Sequence, residues 1–214
     1  MVLTRTISTE GEVRILSCLN YGAFFATAFF GVTAHGLSAR ADCRQDIQAI
    51  MKAGETAENY KLLVELGMGG RIIQDSEQYY RDYSHFYQVV KQTGVHWLVL
   101  DDQEYTSSDG NTWTASQKRD ADWLEKTLER NAETRAAIKD VSCSTEMLGD
   151  KSFNTYMYTQ ETTAPVAAVS VVTLWVDPET SLPQQRHMKT LTGGQEIEAT
   201  TRYEWLDTVE LPSP

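Results

Sequence analysis

The chain has 214 residues and a mass of 24.1 kDa, and its 30 Asp and Glu residues outnumber its 19 Lys and Arg residues, for a formal net charge of −11. A surface of this sign repels phosphate backbones, so we expect no nucleic-acid partner. Hydrophobic residues make up 41% and charged residues 23%, which is typical of a folded globular domain and excludes a disordered or collagen-like chain.

The N-terminal segment has the pattern of an export signal. A polar start is followed by an uncharged run at 15–34, and the Ala-Arg-Ala sequence at 39–41 has the small-x-small form that signal peptidase cleaves. We therefore predict a signal peptide over residues 1–41, cleavage before Asp42 and a periplasmic protein. The alternative is an uncleaved membrane anchor, because about 20 uncharged residues can span a bilayer.

Removal of this segment takes away Cys18 and leaves two cysteines, Cys43 and Cys143. In an oxidising compartment such a pair favours a disulfide. Closing a loop of about 100 residues would stabilise the fold by at most about 4 to 5 kcal/mol. A redox pair or a thiol nucleophile is disfavoured, because the sequence has no CxxC motif and no histidine beside either cysteine.

Residues 42–214 are predicted to form one domain, since they contain no linker, repeat or low-complexity segment. Helical spacing of apolar residues predicts a first helix over 43–53, which Gly54 ends. From Tyr60 the period changes to two, which is typical of strands. Strands are predicted at 60–66, 70–80, 83–91 and 94–101, followed by a hairpin over 104–116 with a tight two-residue turn at Asp109-Gly110.

A second helix is predicted over 120–137. Asp120 is its expected N-cap, and Asp122 and Lys126 form an i,i+4 pair. The apolar stripe expected to face the sheet consists of Ala121, Leu124, Leu128 and Ala132.

Strands return after this helix, at 139–148, 151–161, 166–176, 184–192 and a last alternating segment that ends at Trp205. The segment 166–176 is apolar on both faces and is predicted to be a central strand. A two-residue turn at Gly193-Gly194 would set Lys189 opposite Glu198 and Met188 opposite Ala199.

These elements predict an α+β fold. A curved antiparallel sheet of about ten to eleven strands would form an incomplete barrel, with two or three helices covering its concave face, because so many consecutively paired strands must curl or close.

No catalytic constellation stands out in the sequence. The mature chain holds His85, His96 and His187 without metal-ligand spacing, and Asp101, Asp102 and Glu104 are expected to form a solvated turn. No P-loop, dinucleotide fingerprint or nucleophile elbow follows a predicted strand. We therefore expect no enzyme activity, no metal and no cofactor.

The strands carry many aromatic residues and methionines. The simpler interpretation is that these residues form the core of a curved sheet; the sharper one is that some of them line a cavity for an acyl chain. The candidate ligand-binding residues are Trp97, Met157, Trp175, Met188, Ile197, Tyr203 and Trp205.

The segment Leu-Trp-Val-Asp-Pro-Glu-Thr-Ser-Leu-Pro at 174–183 lies between two predicted strands. Together with the export signal, the helix before the first long strand and the helical insertion midway, it resembles the strand-turn-strand signature of the LolA/LolB-like group of lipoprotein carriers and lipoprotein-sorting proteins. The resemblance covers residues 43–206. It implies an incomplete barrel whose helix-covered concave face accepts acyl chains.

Two features bear on this resemblance. A Cys43–Cys143 bond is not part of the carrier pattern and would tether the first helix to the sheet, whereas a lid over a cavity ought to move. The buried arginine with which carriers hold the lid has two candidates here, Arg71 and Arg186.

The leading hypothesis is therefore a monomeric periplasmic protein that binds a lipid or an acylated protein, as carrier or sensor, and works with an envelope protein partner. The second is a non-catalytic interaction module whose barrel is filled by its own side chains. The third is a small-molecule enzyme on the same fold, which would need titratable residues with perturbed pKa values in the pocket.

Overall fold

In the computed structural model, residues 39–162 and 167–214 are described. They form two α-helices and eleven strands: α1 Ala39–Ala53, β1 Tyr60–Met68, β2 Arg71–Asp82, β3 His85–Val90, β4 Val95–Leu100, β5 Gln103–Ser107, β6 Thr114–Lys118, α2 Trp123–Ala137, β7 Lys139–Leu148, β8 Lys151–Thr162, β9 Ala168–Val176, β10 Pro183–Thr192 and β11 Gln195–Trp205.

The predicted signal peptide falls almost entirely outside the described residues. The uncharged run at 15–34 is among the residues not described, and α1 already begins at Ala39, so the predicted cleavage site before Asp42 lies in its first turn. Neither helix in the described part of the chain combines the length and hydropathy that crossing a membrane requires.

All eleven strands belong to one antiparallel sheet. Its order is β6-β5-β4-β3-β2-β1-β11-β10-β9-β8-β7, so the sheet is open and its two edges are β6 and β7. Each strand neighbours the next one along the chain, except that α2 carries the chain from one edge to the other and that β1 pairs with β11. The predicted α+β class with an open antiparallel sheet is therefore confirmed.

The register of the last hairpin is also confirmed. Thr192 pairs with Gln195 across Gly193-Gly194, which places Lys189 opposite Glu198. Both glycines have positive φ angles, 54° and 78°, as a two-residue hairpin turn requires.

The turn between β5 and β6 differs from the prediction. Six residues, 108–113, separate the strands, so the expected two-residue turn at Asp109-Gly110 is wrong. The Asp109 carboxylate accepts hydrogen bonds from the backbone N–H groups of Asn111 and Thr112, at 2.8 and 2.7 Å, and this side-chain turn organises a wider loop.

Helix α2 begins later than predicted and buries a different face. It starts at Trp123, with Asp122 rather than Asp120 at the N-cap, although the Asp122–Lys126 pair forms at 2.9 Å. The fully buried residue on α2 is Asn131, whereas Ala121 and Ala132 of the predicted stripe are exposed and Leu124 and Leu128 are half-buried.

Alternate residues of the strands build one hydrophobic core together with α1. We call the side of the sheet that carries this core the core face and the opposite side the outer face. Helix α1 contributes Cys43, Ile47 and Met51 to the core. The buried core residues of the strands are Tyr60, Leu62, Tyr80, Phe86, Val99, Val141, Tyr156, Tyr158, Val172, Leu174, Val176 and Tyr203.

The predicted disulfide is present. Cys43 of α1 is bonded to Cys143 of β7, with the two Cα atoms 5.6 Å apart. The bond fastens the first helix to the edge strand on the core face, because Cys143 pairs with the core residue Tyr156.

Candidate functional site

An aromatic row runs across five neighbouring strands on the core face. Tyr60 stacks on Tyr80 with ring centroids 4.8 Å apart, and Tyr80 stacks on Phe86 at 5.0 Å. Trp205 lies 5.4 Å from Tyr60 at one end, and Trp97 meets Phe86 edge-on at 5.5 Å at the other. Tyr60 lies directly opposite both Trp205 and Tyr80, and Tyr80 lies opposite Phe86, where aromatic pairs pack best. Trp97 meets Phe86 diagonally, because its own cross-strand partner is Gln88.

A charged pair closes the Trp97 end of this row. Arg119 Nε donates to Glu104 Oε1 at 2.6 Å, and Trp97 Nε1 donates to Glu104 Oε2 at 3.2 Å. The guanidinium also lies 4.2 Å from the ring centroid of Trp123, the first residue of α2. These contacts join the start of α2 to the sheet.

An apolar row lies beside the aromatic row on the core face. It follows successive cross-strand partners from Leu66 through Ala199, Met188 and Val172 to Tyr158. Met188 is only half-buried, although it packs against the core. The apolar surface of this face therefore extends beyond the residues that are completely buried.

Polar groups lie between these apolar positions. Arg186 Nη2 donates to Met188 Sδ at 3.3 Å, and the Arg186 guanidinium also hydrogen-bonds the Tyr203 hydroxyl. Burial raises the pKa of Tyr203 to about 12, against the opposing effect of Arg186, so this phenol stays neutral at every physiological pH. It can donate or accept a hydrogen bond, but it does not become a phenolate nucleophile.

The predicted ligand-binding residues divide between the two faces of the sheet. Those on the core face are Trp97, Met188, Ile197, Tyr203 and Trp205. Met157 and Trp175 instead lie on the outer face, because their neighbours Tyr156, Tyr158, Leu174 and Val176 point into the core. The structure therefore does not bring Met157 and Trp175 to the other five.

The two candidate lid arginines are also separated. Arg71 is exposed at the start of β2, whereas Arg186 is half-buried on the core face. The position of Arg186 could have been found from the sequence, because it precedes Met188 by two residues on an alternating strand and therefore shares its face. Alternation also puts Val64 on the same face as Tyr60, Leu62 and Leu66, but Val64 was not among the predicted ligand-binding residues; it is half-buried against the core.

A groove of about 660 Å³ lies elsewhere, between the β1–β2 hairpin and the start of β11. Its walls include Leu66, Gly67, Ile72, Glu196 and Glu198, and none of the seven predicted ligand-binding residues lines it. Its carboxylates are engaged in ion pairs, those of Glu65 with Arg202 and of Glu198 with Lys189.

Two carboxyl groups whose pKa values are strongly lowered lie away from the core face. Hydrogen bonds from Tyr79 and Lys61 lower the pKa of Glu77 to about 2 on the outer face. Backbone hydrogen bonds from Thr112 and Asn111 lower the pKa of Asp109 in the β5–β6 loop. Within residues 39–162 and 167–214, no group of three or more His, Cys, Asp or Glu side chains is arranged to hold a metal ion.

The two helices are held by different kinds of contact. The disulfide fixes α1 covalently to β7, whereas α2 is held by non-covalent contacts. Asn131 Nδ2 donates to Tyr83 Oη at 3.0 Å, Gln48 Nε2 donates to the Arg135 carbonyl at 2.8 Å, and Arg135 forms an ion pair with Glu55. Of the two helices, α2 is therefore the one that can move without breaking a covalent bond.

No protein-family model matches this chain, and no curated protein matches it.

Proposed function

We propose that this protein is an exported, non-catalytic binding protein that holds an acyl chain against the core face, as a carrier or sensor of a lipid or an acylated protein. One observation carries the proposal: the apolar surface of the core face continues past the buried core into half-buried side chains. Val64, Trp97, Met188 and Trp205 pack against the core and remain partly accessible. Such a surface suits an apolar ligand.

The dimensions of the apolar row support a chain-shaped ligand. Leu66, Ala199, Met188, Val172 and Tyr158 lie on five neighbouring strands. At the usual strand spacing of about 4.8 Å, the row is about 19 Å long. Met188 is the partly accessible member of the row, and the other four side chains are buried. A saturated acyl chain laid across the strands would therefore contact Met188 first, and the other four once the cover over them has moved.

Polar groups beside the row are suited to a lipid head group. The Arg186 guanidinium lies next to Met188 and hydrogen-bonds the Tyr203 hydroxyl, and Thr201 pairs with Arg186 across the strands. Guanidinium and hydroxyl groups donate to carboxylate, phosphate or ester oxygens. An amphiphile with its tail on Met188 and its head at Arg186 would use both parts of this surface.

The helices would serve as the cover of the site. In this proposal the core face is the concave side of the sheet, α1 is the fixed part of the cover and α2 is the part that moves. The tethers described above support that division, since α1 carries the disulfide while α2 depends on Asn131 and Arg135. Opening would require the breaking of hydrogen bonds and an ion pair, which a bound lipid can offset.

The proposal is tested by the uptake of a fluorescent fatty acid, followed by its emission change in the purified protein. Met188→Asp places a charge in the proposed site, whereas Met157→Asp makes the same substitution on the outer face, where Met157 is 47% exposed. We expect binding by the wild type and by Met157→Asp, and at least a tenfold loss of affinity for Met188→Asp. Equal binding by all three proteins, or binding by none of them, would contradict the proposal.

The aromatic row favours a second candidate function. Tyr60, Tyr80 and Phe86 are each less than 10% exposed and fill one end of the core face with their own rings. If this filling extends along the whole face, the protein is a non-catalytic interaction module that acts through its acidic outer surface. Absence of probe uptake by folded wild-type protein would favour this second function.

A further inference from the structure

The hydroxyl of Ser76 is buried on the core face without a partner. Ser76 is completely buried, and within residues 39–162 and 167–214 no group forms a hydrogen bond with its Oγ. It lies on the core face because it pairs across the strands with Val64, which packs against the core. A buried hydroxyl that has lost its water and gained no partner costs free energy, so it calls for a physical or functional reason.

The neighbours of Ser76 explain why the protein itself does not satisfy this hydroxyl. On either side lie Val64 of β1 and Val90 of β3, whose aliphatic side chains cannot form hydrogen bonds. Gln78 shares the face on the same strand, and its Oε1 accepts the Tyr80 hydroxyl at 3.0 Å. Both valines are half-buried, so the Ser76 hydroxyl is flanked by apolar side chains that are themselves not fully covered.

Ser76 is the end of a row that contains three polar side chains. Successive cross-strand partners lead from Ser76 through Val64 and Thr201 to Arg186, and we call this the polar row. The polar row crosses the four neighbouring strands β2, β1, β11 and β10. At a strand spacing of about 4.8 Å, Ser76 and Arg186 are about 14 Å apart.

The polar row runs directly beside the apolar row. On three strands the members of the two rows are two residues apart and therefore share a face: Val64 with Leu66, Thr201 with Ala199, and Arg186 with Met188. An acyl chain that lies along the two rows from β10 to β2 would have a guanidinium at one end. It would meet the buried Ser76 hydroxyl three strands further on.

We infer that the acyl chain taken up by this site carries a hydroxyl group part-way along its length, which hydrogen-bonds Ser76 while the carboxylate binds Arg186. The inference rests on the proposed function. The guanidinium has five N–H donors, so it can bind a carboxylate and keep its contact with Tyr203. An extended chain advances about 1.2 Å per bond, so about 14 Å corresponds to about twelve bonds, which 12-hydroxystearate matches.

The hydroxyl group should decide between two ligands of equal chain length. Stearate would leave the Ser76 hydroxyl buried and unpaired, whereas the hydroxyl of 12-hydroxystearate can both donate to it and accept from it. Burial of apolar surface alone would favour stearate, because it is the more hydrophobic of the two acids. A preference for 12-hydroxystearate therefore reports the hydrogen bond and not the apolar contact.

The test is isothermal titration calorimetry of the purified protein with each of the two acids. Ser76→Ala removes the hydroxyl from the polar row. The matched control is Thr155→Val, because Thr155 has an equally buried and unpartnered hydroxyl among the described residues but pairs with Trp175 on the outer face. Circular dichroism shows whether both variants are folded.

We expect the wild type and Thr155→Val to bind 12-hydroxystearate at least tenfold more tightly than stearate. Ser76→Ala should lose this preference and still bind stearate at least as tightly as the wild type. Equal affinity of the wild type for the two acids, or a preference that survives Ser76→Ala, would overturn this inference and leave the proposed acyl site in place, with Ser76 bonded to water only. Binding of neither acid by the folded wild type would overturn both.

Discussion

Asn131 of α2 is joined to Tyr83 of the β2–β3 turn by a hydrogen bond of 3.0 Å, from Nδ2 to the phenolic oxygen. Asn131 is 2% exposed, and it is the buried residue of a helix with otherwise exposed or half-buried side chains. A helix that crosses from one edge of the sheet to the other is therefore positioned by a buried amide.

Asn131→Ala should lower the free energy of unfolding by about 1–3 kcal/mol, because it leaves the partly buried Tyr83 hydroxyl without this donor. Tyr83→Phe removes the other partner, and Asn131→Ala combined with Tyr83→Phe should cost less than the two single changes added together. Urea denaturation of the four proteins gives these values. Strict additivity would show that the hydrogen bond contributes nothing measurable.

Replacement of both cysteines, Cys43→Ala with Cys143→Ala, should lower the free energy of unfolding by about 2–4 kcal/mol, because the unfolded chain loses the constraint of a closed loop. The sequence separation across this loop is 100 residues. The comparison is urea denaturation with and without reductant. Reductant should shift the wild-type midpoint to that of the double variant and leave the variant unchanged; a wild type indifferent to reductant would contradict the assigned disulfide.

Glu77 should make stability depend on pH in acid. Tyr79 donates to its carboxylate at 2.7 Å, and Lys61 and Lys91 lie at 3.0 and 3.2 Å, which lowers the pKa of Glu77 to about 2. Because the folded-state pKa lies below the ordinary value of 4.5, this stabilisation is complete above pH 4.5 and is lost as the pH falls towards 2.

Glu77→Gln should therefore be less stable than the wild type at pH 7, by about 1 kcal/mol given the partial exposure of the ion pairs. The difference should shrink between pH 4.5 and 2. Denaturant midpoints of both proteins at pH 7, 4 and 2.5 measure it. A difference that is constant with pH would show that the Glu77 charge is not involved.

Ser76 offers a test of the interior of the sheet. Its hydroxyl is completely buried beside Val64, and no hydrogen-bond partner for it occurs among the described residues. Ser76→Ala removes a buried polar group that gains nothing from the fold, so it should leave stability unchanged or raise it by up to about 1–2 kcal/mol. A loss of more than 1 kcal/mol in a thermal or urea melt would show that the hydroxyl is hydrogen-bonded in solution.

Alternation and turn chemistry allowed much of the fold to be predicted from the sequence. In β11 the apolar residues occupy every second position and so share one face of the sheet. Gly193-Gly194 fixes the turn, so counting residues outward from it on both strands gives the pairing of Lys189 with Glu198. The last predicted strand and its partner were therefore placed correctly.

The same method could not place residues of strands that are apolar on both faces. In β9 the residues of the outer face, Val169, Val171 and Trp175, are as hydrophobic as the buried Val172 and Leu174. The sequence pattern therefore did not show which of the two alternating sets of residues faces the core. Trp175, like Met157 on β8, was consequently chosen by residue type alone.

The buried face of helix α2 was predicted wrongly for the opposite reason. Its buried face is carried by the polar Asn131, which a search for an apolar stripe passes over, while Leu124 and Leu128 of that stripe remain partly exposed. A buried amide that satisfies a tertiary hydrogen bond leaves no trace in hydrophobic periodicity.

Methionine methyl NMR tests most directly whether an acyl chain binds the core face. Met188 lies on that face, whereas Met157 on the outer face serves as an internal control in the same spectrum. Titration with palmitate should shift the Met188 methyl resonance in a saturable way and leave Met157 unmoved. A shift confined to Met157, or no shift of Met188 at saturating palmitate, would contradict the proposed site.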